Sequence, residues 1–380
     1  MPGLYIHIPF CKQACHYCNF HFSTSLRYKE TMIDAIIKEI DFRHDYLLKE
    51  PLSSIYFGGG TPSLLDENDL EKIFEKIHQH FSITTDAEIT LEANPDDINS
   101  KNLKTWAKTG INRLSIGVQS FADEDLLYMN RAHNAKEAKI CIQMAQDAGF
   151  SKLTVDLIYG SPTTSDITWQ KNVNTLFELK IPHLSCYALT IEPKTALEYK
   201  VRKQKSPPVD EEQSARQYEL LMDWMKENNY IHYETSNFAK EGFFAKHNSS
   251  YWLGASYLGL GPSAHSYNGF SRQWNVANNA HYIKIIKNIN TNTTSNTKIE
   301  SLYEKEVLSK QDQYNELIMT GLRTIWGIDS TRIPVKYRAQ FKKNIQQFVN
   351  TNHVFVSKTK YILTNKGRLI SDFISSQLFI

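Results

Sequence analysis

Cys11, Cys15 and Cys18 stand in the spacing Cys-x3-Cys-x2-Cys, which sets three thiols on one short loop. Thiolates are the ligands that iron–sulfur clusters and zinc select. A cubane cluster has four irons, so three cysteines leave one iron open to an exchangeable ligand. Zinc needs a fourth protein ligand, which His16 or His21 would have to supply, and structural zinc sites usually pair two Cys-x2-Cys-like knuckles. Cys141 and Cys186 lie in apolar helix-like and strand-like stretches and read as core residues. Five cysteines in 380 residues, three of them within eight positions, make a poor disulfide framework and point to a metal site in a reducing compartment.

Other residues along the chain have types suited to holding a polar ligand. Tyr56-Phe57-Gly58-Gly59-Gly60-Thr61-Pro62-Ser63 is an ordinary strand-to-helix turn or, since glycine removes side chains, a place where a ligand approaches backbone closely. Glu92, in Leu91-Glu92-Ala93-Asn94-Pro95, offers a carboxylate to an amino or hydroxyl group, or else forms a structural salt bridge. Gln119, Arg131 and Asp156 are each unremarkable alone, but together they suit a polar, charged cofactor. Downstream, His247-Asn248-Ser249-Ser250-Tyr251-Trp252 combines an imidazole with two amphipathic rings, and Leu258 to His265 is a glycine-rich stretch read as a tight loop near the same mouth.

These residues need a scaffold, and the hydrophobic pattern supplies one. Strand-like runs at Leu4–Phe10, Ser54–Phe57, Glu88–Ala93, Arg113–Val118, Leu153–Ile158 and His183–Leu189 alternate with helical patterns at Tyr28–Leu48, Glu67–Phe81, Ser100–Lys108, Asp123–Ala148, Thr168–Leu179 and Glu211–Asn228. Such alternation predicts an α/β fold with a parallel sheet and outer helices, and six units fit a partial (β/α)6 barrel whose chemistry sits at the C-terminal strand ends. Tyr230–Phe238 reads as one further strand. The sequence divides into the barrel at 1–240, a connecting segment at 241–287, an Asn/Thr-rich linker at 288–300 and a small winged-helix-like module at 301–380. That module is predicted to hold helices at Leu302–Ile325, Val335–Asn350 and Lys366–Ser375 with two short strands between His353 and Leu363.

Composition narrows the partners. Lys+Arg 43 against Asp+Glu 41 gives a net charge of +2, so no global field attracts nucleic acid, and the winged-helix-like module lacks a strong basic stripe. The proline-broken N-terminus carries no basic leader, and no apolar run is long enough to span a bilayer, so the expectation is a cytoplasmic protein without a transmembrane segment.

The Cys-x3-Cys-x2-Cys loop at the end of a first barrel strand resembles the radical-SAM superfamily, which implies a 4Fe-4S cluster whose open iron is chelated by S-adenosylmethionine. Further blocks, Tyr5-Ile6-His7-Ile8-Pro9-Phe10-Cys11, Phe57 to Pro62, Leu91 to Pro95, Ser115-Ile116-Gly117-Val118-Gln119-Ser120-Phe121 and Asp156-Leu157-Ile158-Tyr159-Gly160, resemble the oxygen-independent coproporphyrinogen III oxidases and their relatives across nearly the whole chain. The resemblance implies that Tyr5, Tyr17, Gly59, Gly60, Thr61, Glu92, Gln119, Arg131 and Asp156 contact S-adenosylmethionine. Two features depart from the oxidases: Phe20 stands where they carry a further cysteine, and the first cysteine comes at position 11, without their N-terminal extension. The H-N-x-x-Y-W segment instead resembles the sister branch of heme-binding, heme-delivering chaperones. Residue types alone read it as a satisfied histidine beside two core aromatics. The resemblance implies heme held by His247, Tyr251 and Trp252, with His247 as axial ligand and His265 as second candidate. It also implies a heme-acceptor protein and a flavodoxin-like or ferredoxin-like electron donor, with oxidative decarboxylation of coproporphyrinogen III as the alternative activity.

Overall fold

The computed structural model describes residues 2–289 and 301–380, so most of the expected linker at 288–300 lies outside the described residues. Strands β1 (Gly3–Ile8), β2 (Leu52–Gly59), β3 (Ile83–Ala93), β4 (Arg113–Gln119), β5 (Leu153–Tyr159) and β6 (His183–Ala188) pair in parallel in chain order. Helices between them cover the outer face, which makes the α/β partial barrel read from the sequence.

Side-chain alternation along these strands decides where the core lies. Leu4, Ile6 and Ile8 of β1, Ile55 and Phe57 of β2, Leu114 and Ile116 of β4, and Val155 and Leu157 of β5 are buried in one cluster with the helices, among them Met32, Ile36 and Ile40 of the helix Lys29–Arg43 and Leu70, Ile73 and Ile77 of the helix Glu67–His80. The intervening positions, Tyr5 and His7, Ser54 and Tyr56, Glu88 and Glu92, Arg113 and Ser115, Thr154 and Asp156, His183 and Ser185, fall on the opposite face of each strand, toward the barrel interior. The hydrophobic core is therefore the layer between sheet and helices. The lumen is polar and free to hold chemistry.

Helix starts follow capping chemistry. Asp66, Asn99, Asn134, Ser165 and Asp210 each accept a backbone N–H of the following helix's first turn. The helical region expected from Asp123 to Ala148 is interrupted: Asn130 takes φ +57°, and the chain resumes helix only at the Asn134 cap, giving helices Asp123–Tyr128 and Ala135–Asp147. The interruption turns Arg131 inward. The helix Ala196–Arg202 was not foreseen.

The sheet is larger than the six expected units. On the side of β6, Tyr230–Phe238 is not one strand but a hairpin, β7 (Ile231–Glu234) and β8 (Asn237–Ala239), with β8 antiparallel to β6. On the side of β1, the segment 241–287 is no mere connection. It holds β9 (Tyr257–Leu260), which pairs parallel to β1, then β10 (His265–Tyr267) and β11 (Ser271–Asn275). Tyr303–Val307, expected as helix, is the edge strand β12, so the described residues form a twelve-stranded sheet. A buried network ties this extension to the barrel: Arg43 donates to Glu39, Gly259 O, Ser266, Gln273 and Asn275 at 2.6–3.3 Å.

The C-terminal module has its own core of Tyr314, Ile318, Phe341, Ile345, Phe348 and Ile374. Its helices are Lys310–Leu322, Val335–Asn350, Asn365–Arg368 and Ser371–Leu378, the last two replacing the single helix expected at Lys366–Ser375. A three-stranded sheet, β13 (Ile328–Asp329), β14 (Val354–Ser357) and β15 (Lys360–Leu363), contains the expected hairpin. Arg368 anchors the module by donating to His232 O of β7 at 3.0 Å.

Candidate functional site

The loop after β1, the turn after β2 and the ends of β3 to β6 enclose a cavity of about 410 Å³. Cys11, Cys15 and Cys18 line it together with Tyr17, Gly59, Gly60, Thr61, Glu92, Gln119, Arg131 and Asp156. Eight of the nine residues expected around S-adenosylmethionine thus share one cavity with the three cysteines. Tyr5 does not: it lines a second, deeper cavity of about 210 Å³ inside the barrel, which shares Glu92, Ser115, Asp156 and Tyr187 with the first.

The donor set suits a cluster better than a single ion. Three thiols line the wall, one fewer than the four protein ligands of a structural zinc ion, whereas three separate irons of a cluster can each take one thiolate from a shared wall. Arg131 braces that wall, its guanidinium donating to Cys15 Sγ at 3.1 Å, to Asn94 Oδ1 at 2.7 Å and to Gly117 O at 2.6 Å. Burial pushes the Cys11 thiol up to about 11 and raises Cys18 as well.

Glu92 sits where the two cavities meet. Its Oε1 accepts the Tyr56 hydroxyl at 2.8 Å and its Oε2 accepts the Gly59 N–H at 3.1 Å. Burial nevertheless pushes its carboxyl up to about 7, with Asp156 adding like charge. Burial likewise raises Asp156 to about 6, against the hydrogen bonds from Ser185 and Ser115. Two carboxyls held near neutrality in a cavity suit a ligand that brings positive charge. Gln119, at the end of β4, takes φ +71°, the left-handed conformation that costs a non-glycine residue on the order of 1–3 kcal/mol, and such strain clusters at ligand sites.

The glycines of the β2 turn have a different first cause from the one the sequence suggests. Gly59 has φ +106° and a Cβ there would come within 2.5 Å of the His7 ring, while at Gly60 it would meet Phe10 O at 2.6 Å. The close seating of β2 on β1 demands glycine, and the exposed backbone follows from that. Sequence reasoning missed Gln13, Asn94, Tyr187 and Glu192 in the cavity wall. Asn94 carried a signal, since it lies in the same strand-end block as Glu92.

The H-N-x-x-Y-W residues lie elsewhere. They form the helix Lys246–Trp252, whose first N–H groups, of Lys246 and His247, both donate to Glu88 at 3.0 Å. His247 is buried against Gly3 and Ser54, at the N-terminal ends of β1 and β2, and so at the opposite end of the barrel from the cysteines. Its Nδ1 shares a hydrogen bond with Ser54 Oγ at 2.8 Å, its Nε2 another with Tyr251 Oη at 2.7 Å, and its ring stacks on Tyr56 at 5.0 Å. Burial holds it down to about 3, so the imidazole is neutral at all physiological pH. His247 and Tyr251 line the inner cavity, but Trp252 faces a third cavity of about 170 Å³ toward the C-terminal module, with Arg323 over its ring at 5.3 Å. The expected shared mouth with the glycine-rich stretch is not observed. Tyr257–Leu260 is a sheet strand, and His265 is exposed at the start of β10, its backbone against Gly259, which pairs with Tyr5 in the middle of β1.

Comparison with known proteins gives a consistent picture. The Radical SAM superfamily pattern matches residues 5–176, which include the three cysteines and all nine expected cofactor contacts. The chain is 32% identical over 378 residues to the heme chaperone HemW of Bacillus subtilis, covering 98% of this chain and 97% of that one. It is also 32% identical over 367 residues to the heme chaperone HemW of Lactococcus lactis, covering 96% and 93%. Among solved structures, coproporphyrinogen III oxidase (HemN) from Escherichia coli superposes with a TM-score of 0.84 at 22% identity, over 100% of this chain and 90% of that one, which establishes the fold. Among the described residues, no helix is long and apolar enough to cross a membrane.

Proposed function

The chain belongs to the HemW branch of the Radical SAM superfamily, and on that premise we propose that it is a heme chaperone that carries a 4Fe-4S cluster, S-adenosylmethionine and heme, and passes the heme to an acceptor protein. The observation that carries this reading is the extent of the likeness: the match to two named heme chaperones, at 32% identity, spans 98% and 96% of this chain.

Cys11, Cys15 and Cys18 hold the cluster, and Tyr17, Gly59, Gly60, Thr61, Glu92, Gln119, Arg131 and Asp156 surround S-adenosylmethionine, with Tyr5 below them. When bound, the two cofactors supply one-electron chemistry at a carbon–sulfur bond. Glu92 and Asp156 orient the cofactor's cationic part, and Arg131 keeps the Cys15 sulfur in place. A flavodoxin-like or ferredoxin-like protein is the fitting electron donor.

His247 is the proposed axial ligand of heme, with the Tyr251 ring beside it and Trp252 in the adjoining cavity, which Tyr251 also lines. Its depressed basicity suits ligation, because no proton competes with iron for the neutral ring. Ligation by Nε2 requires it to leave the Tyr251 hydroxyl, so heme uptake at this position displaces the Tyr251 side chain. His247→Ala is expected to shift the Soret band or weaken heme binding while iron and sulfide contents stay normal, as read by heme titration and cluster analysis on the same samples. A His247→Ala spectrum identical to wild type would move the ligand elsewhere, with exposed His265 the next candidate.

A further inference from the structure

Tyr56 lies between the two ends of the barrel and touches residues of both. It faces the lumen from β2, paired in register with Tyr5 of β1. Its hydroxyl donates to Glu92 Oε1 at 2.8 Å, and its ring is stacked on His247 at 5.0 Å and on Tyr5 at 6.1 Å, each with planes 23° apart. Tyr5, the other phenol on that level, spends its hydroxyl on His7 Nδ1 at 3.1 Å.

Glu92 is thereby held by two donors from different directions, the Gly59 N–H on Oε2 and the Tyr56 hydroxyl on Oε1. With only the Gly59 bond, the carboxylate could pivot about its terminal torsion, which is broad and weakly restrained. The second hydrogen bond, from the Tyr56 hydroxyl, removes that freedom and fixes one orientation. The Tyr56 ring in turn has little freedom, since His247 covers one part of it and is itself pinned by Ser54 and Tyr251.

We propose that Tyr56 is a positioning residue for the S-adenosylmethionine site: its hydroxyl orients the Glu92 carboxylate, and its ring, seated on His247, makes that orientation depend on the helix Lys246–Trp252. The proposal rests on Glu92 contacting S-adenosylmethionine. It deepens that reading by giving the far end of the barrel a physical handle on the cofactor: whatever displaces His247 loosens Tyr56, and a loosened Tyr56 releases Glu92. By reciprocity, the bound cofactor then resists opening of the same helix.

The test is equilibrium dialysis of S-adenosylmethionine against anaerobically reconstituted, heme-free protein, with iron content measured on every sample to separate lost affinity from lost fold. Tyr56→Phe keeps the ring and removes the hydroxyl, and should weaken binding about tenfold. Glu92→Gln should weaken it more, and adding Tyr56→Phe to Glu92→Ala should cost nothing further, because with no acceptor at position 92 the hydroxyl has nothing to orient. His247→Ala should weaken binding in the wild-type background and not in the Tyr56→Phe background. If Glu92→Gln leaves affinity unchanged, the assignment of Glu92 to the cofactor falls and the proposal with it. If Glu92→Gln weakens binding but Tyr56→Phe does not, or if the losses from Tyr56→Phe and Glu92→Ala simply add, Tyr56 has no positioning role. A loss from His247→Ala that persists in the Tyr56→Phe background overturns the link to the helix.

Discussion

Replacing Cys11, Cys15 or Cys18 singly by alanine is expected to remove the brown absorbance of the anaerobically reconstituted protein and most of its roughly four irons per chain. Each thiol serves a different iron, and the described residues of the cavity offer no spare cysteine, since Phe20 occupies the position two beyond Cys18. Cys141 and Cys186 cannot substitute. Cys141 is buried in the helix Ala135–Asp147 with its thiol donating to Ala138 O, and Cys186 is buried on the outer face of β6. Alanine at either of these should leave iron and sulfide contents unchanged. Visible spectra and iron analysis of the five variants check the set, and retention of about four irons after loss of Cys15 would contradict it.

Glu92→Gln is expected to trade cofactor binding for stability. Replacing the carboxylate removes a charge-assisted contact worth about 1.5–3 kcal/mol, so affinity for S-adenosylmethionine should fall about 10- to 150-fold at pH 8. Ligand-free stability should move the other way. Burial raises the Glu92 carboxyl from 4.5 to about 7, so the folded chain binds this proton more tightly than the unfolded chain. Stability is then lost as pH rises from about 4.5 to about 7, and at about 1.36 kcal/mol per pH unit the penalty above pH 7 is on the order of 3 kcal/mol. Glutamine avoids this penalty but has one oxygen for two donors, Tyr56 and Gly59, which returns about 1 kcal/mol or more. The net expectation is a variant more stable than wild type by about 1–2 kcal/mol at pH 8 and no more stable at pH 4. Denaturant unfolding of the cluster-free protein at the two pH values checks the stability arm, and dialysis checks the binding arm.

How much of this was legible beforehand depended on whether a residue's neighbours in sequence are also its neighbours in space. β1 to β6 and their helices could be read because each βα unit repeats one apolar pattern, and the motifs fell at strand ends because that topology delivers them there. The cavity wall was legible for the same reason. β12 was misread as helix because Tyr303-Glu304-Lys305-Glu306-Val307 is a solvent-exposed edge strand whose Glu and Lys residues carry no alternating apolar signal. β9 to β11 were hidden because they are only three to five residues long, too short for a periodic signal, and because what seats them is distant: Gly261, just past β9, takes φ +95°, and a Cβ there would meet His7 O at 2.6 Å, a contact made across some 250 positions of chain. The site of His247 was the least legible. Nothing in the local sequence says that its helix closes the barrel at the end away from the cysteines, because Gly3, Ser54 and Glu88, which receive it, are distant in sequence.

The same placement bears on the choice between chaperone and oxidase. The proposed heme ligand lies at the opposite end of the barrel from the three cysteines, so heme binding there and turnover of a porphyrinogen beside the cysteines would be separate events that one experiment can tell apart. The most direct measurement is therefore an anaerobic incubation of the fully reconstituted protein with S-adenosylmethionine, reductant and either heme or coproporphyrinogen III. The account predicts one heme bound per chain and no consumption of coproporphyrinogen III. Conversion of coproporphyrinogen III to protoporphyrinogen with matching consumption of S-adenosylmethionine would contradict it.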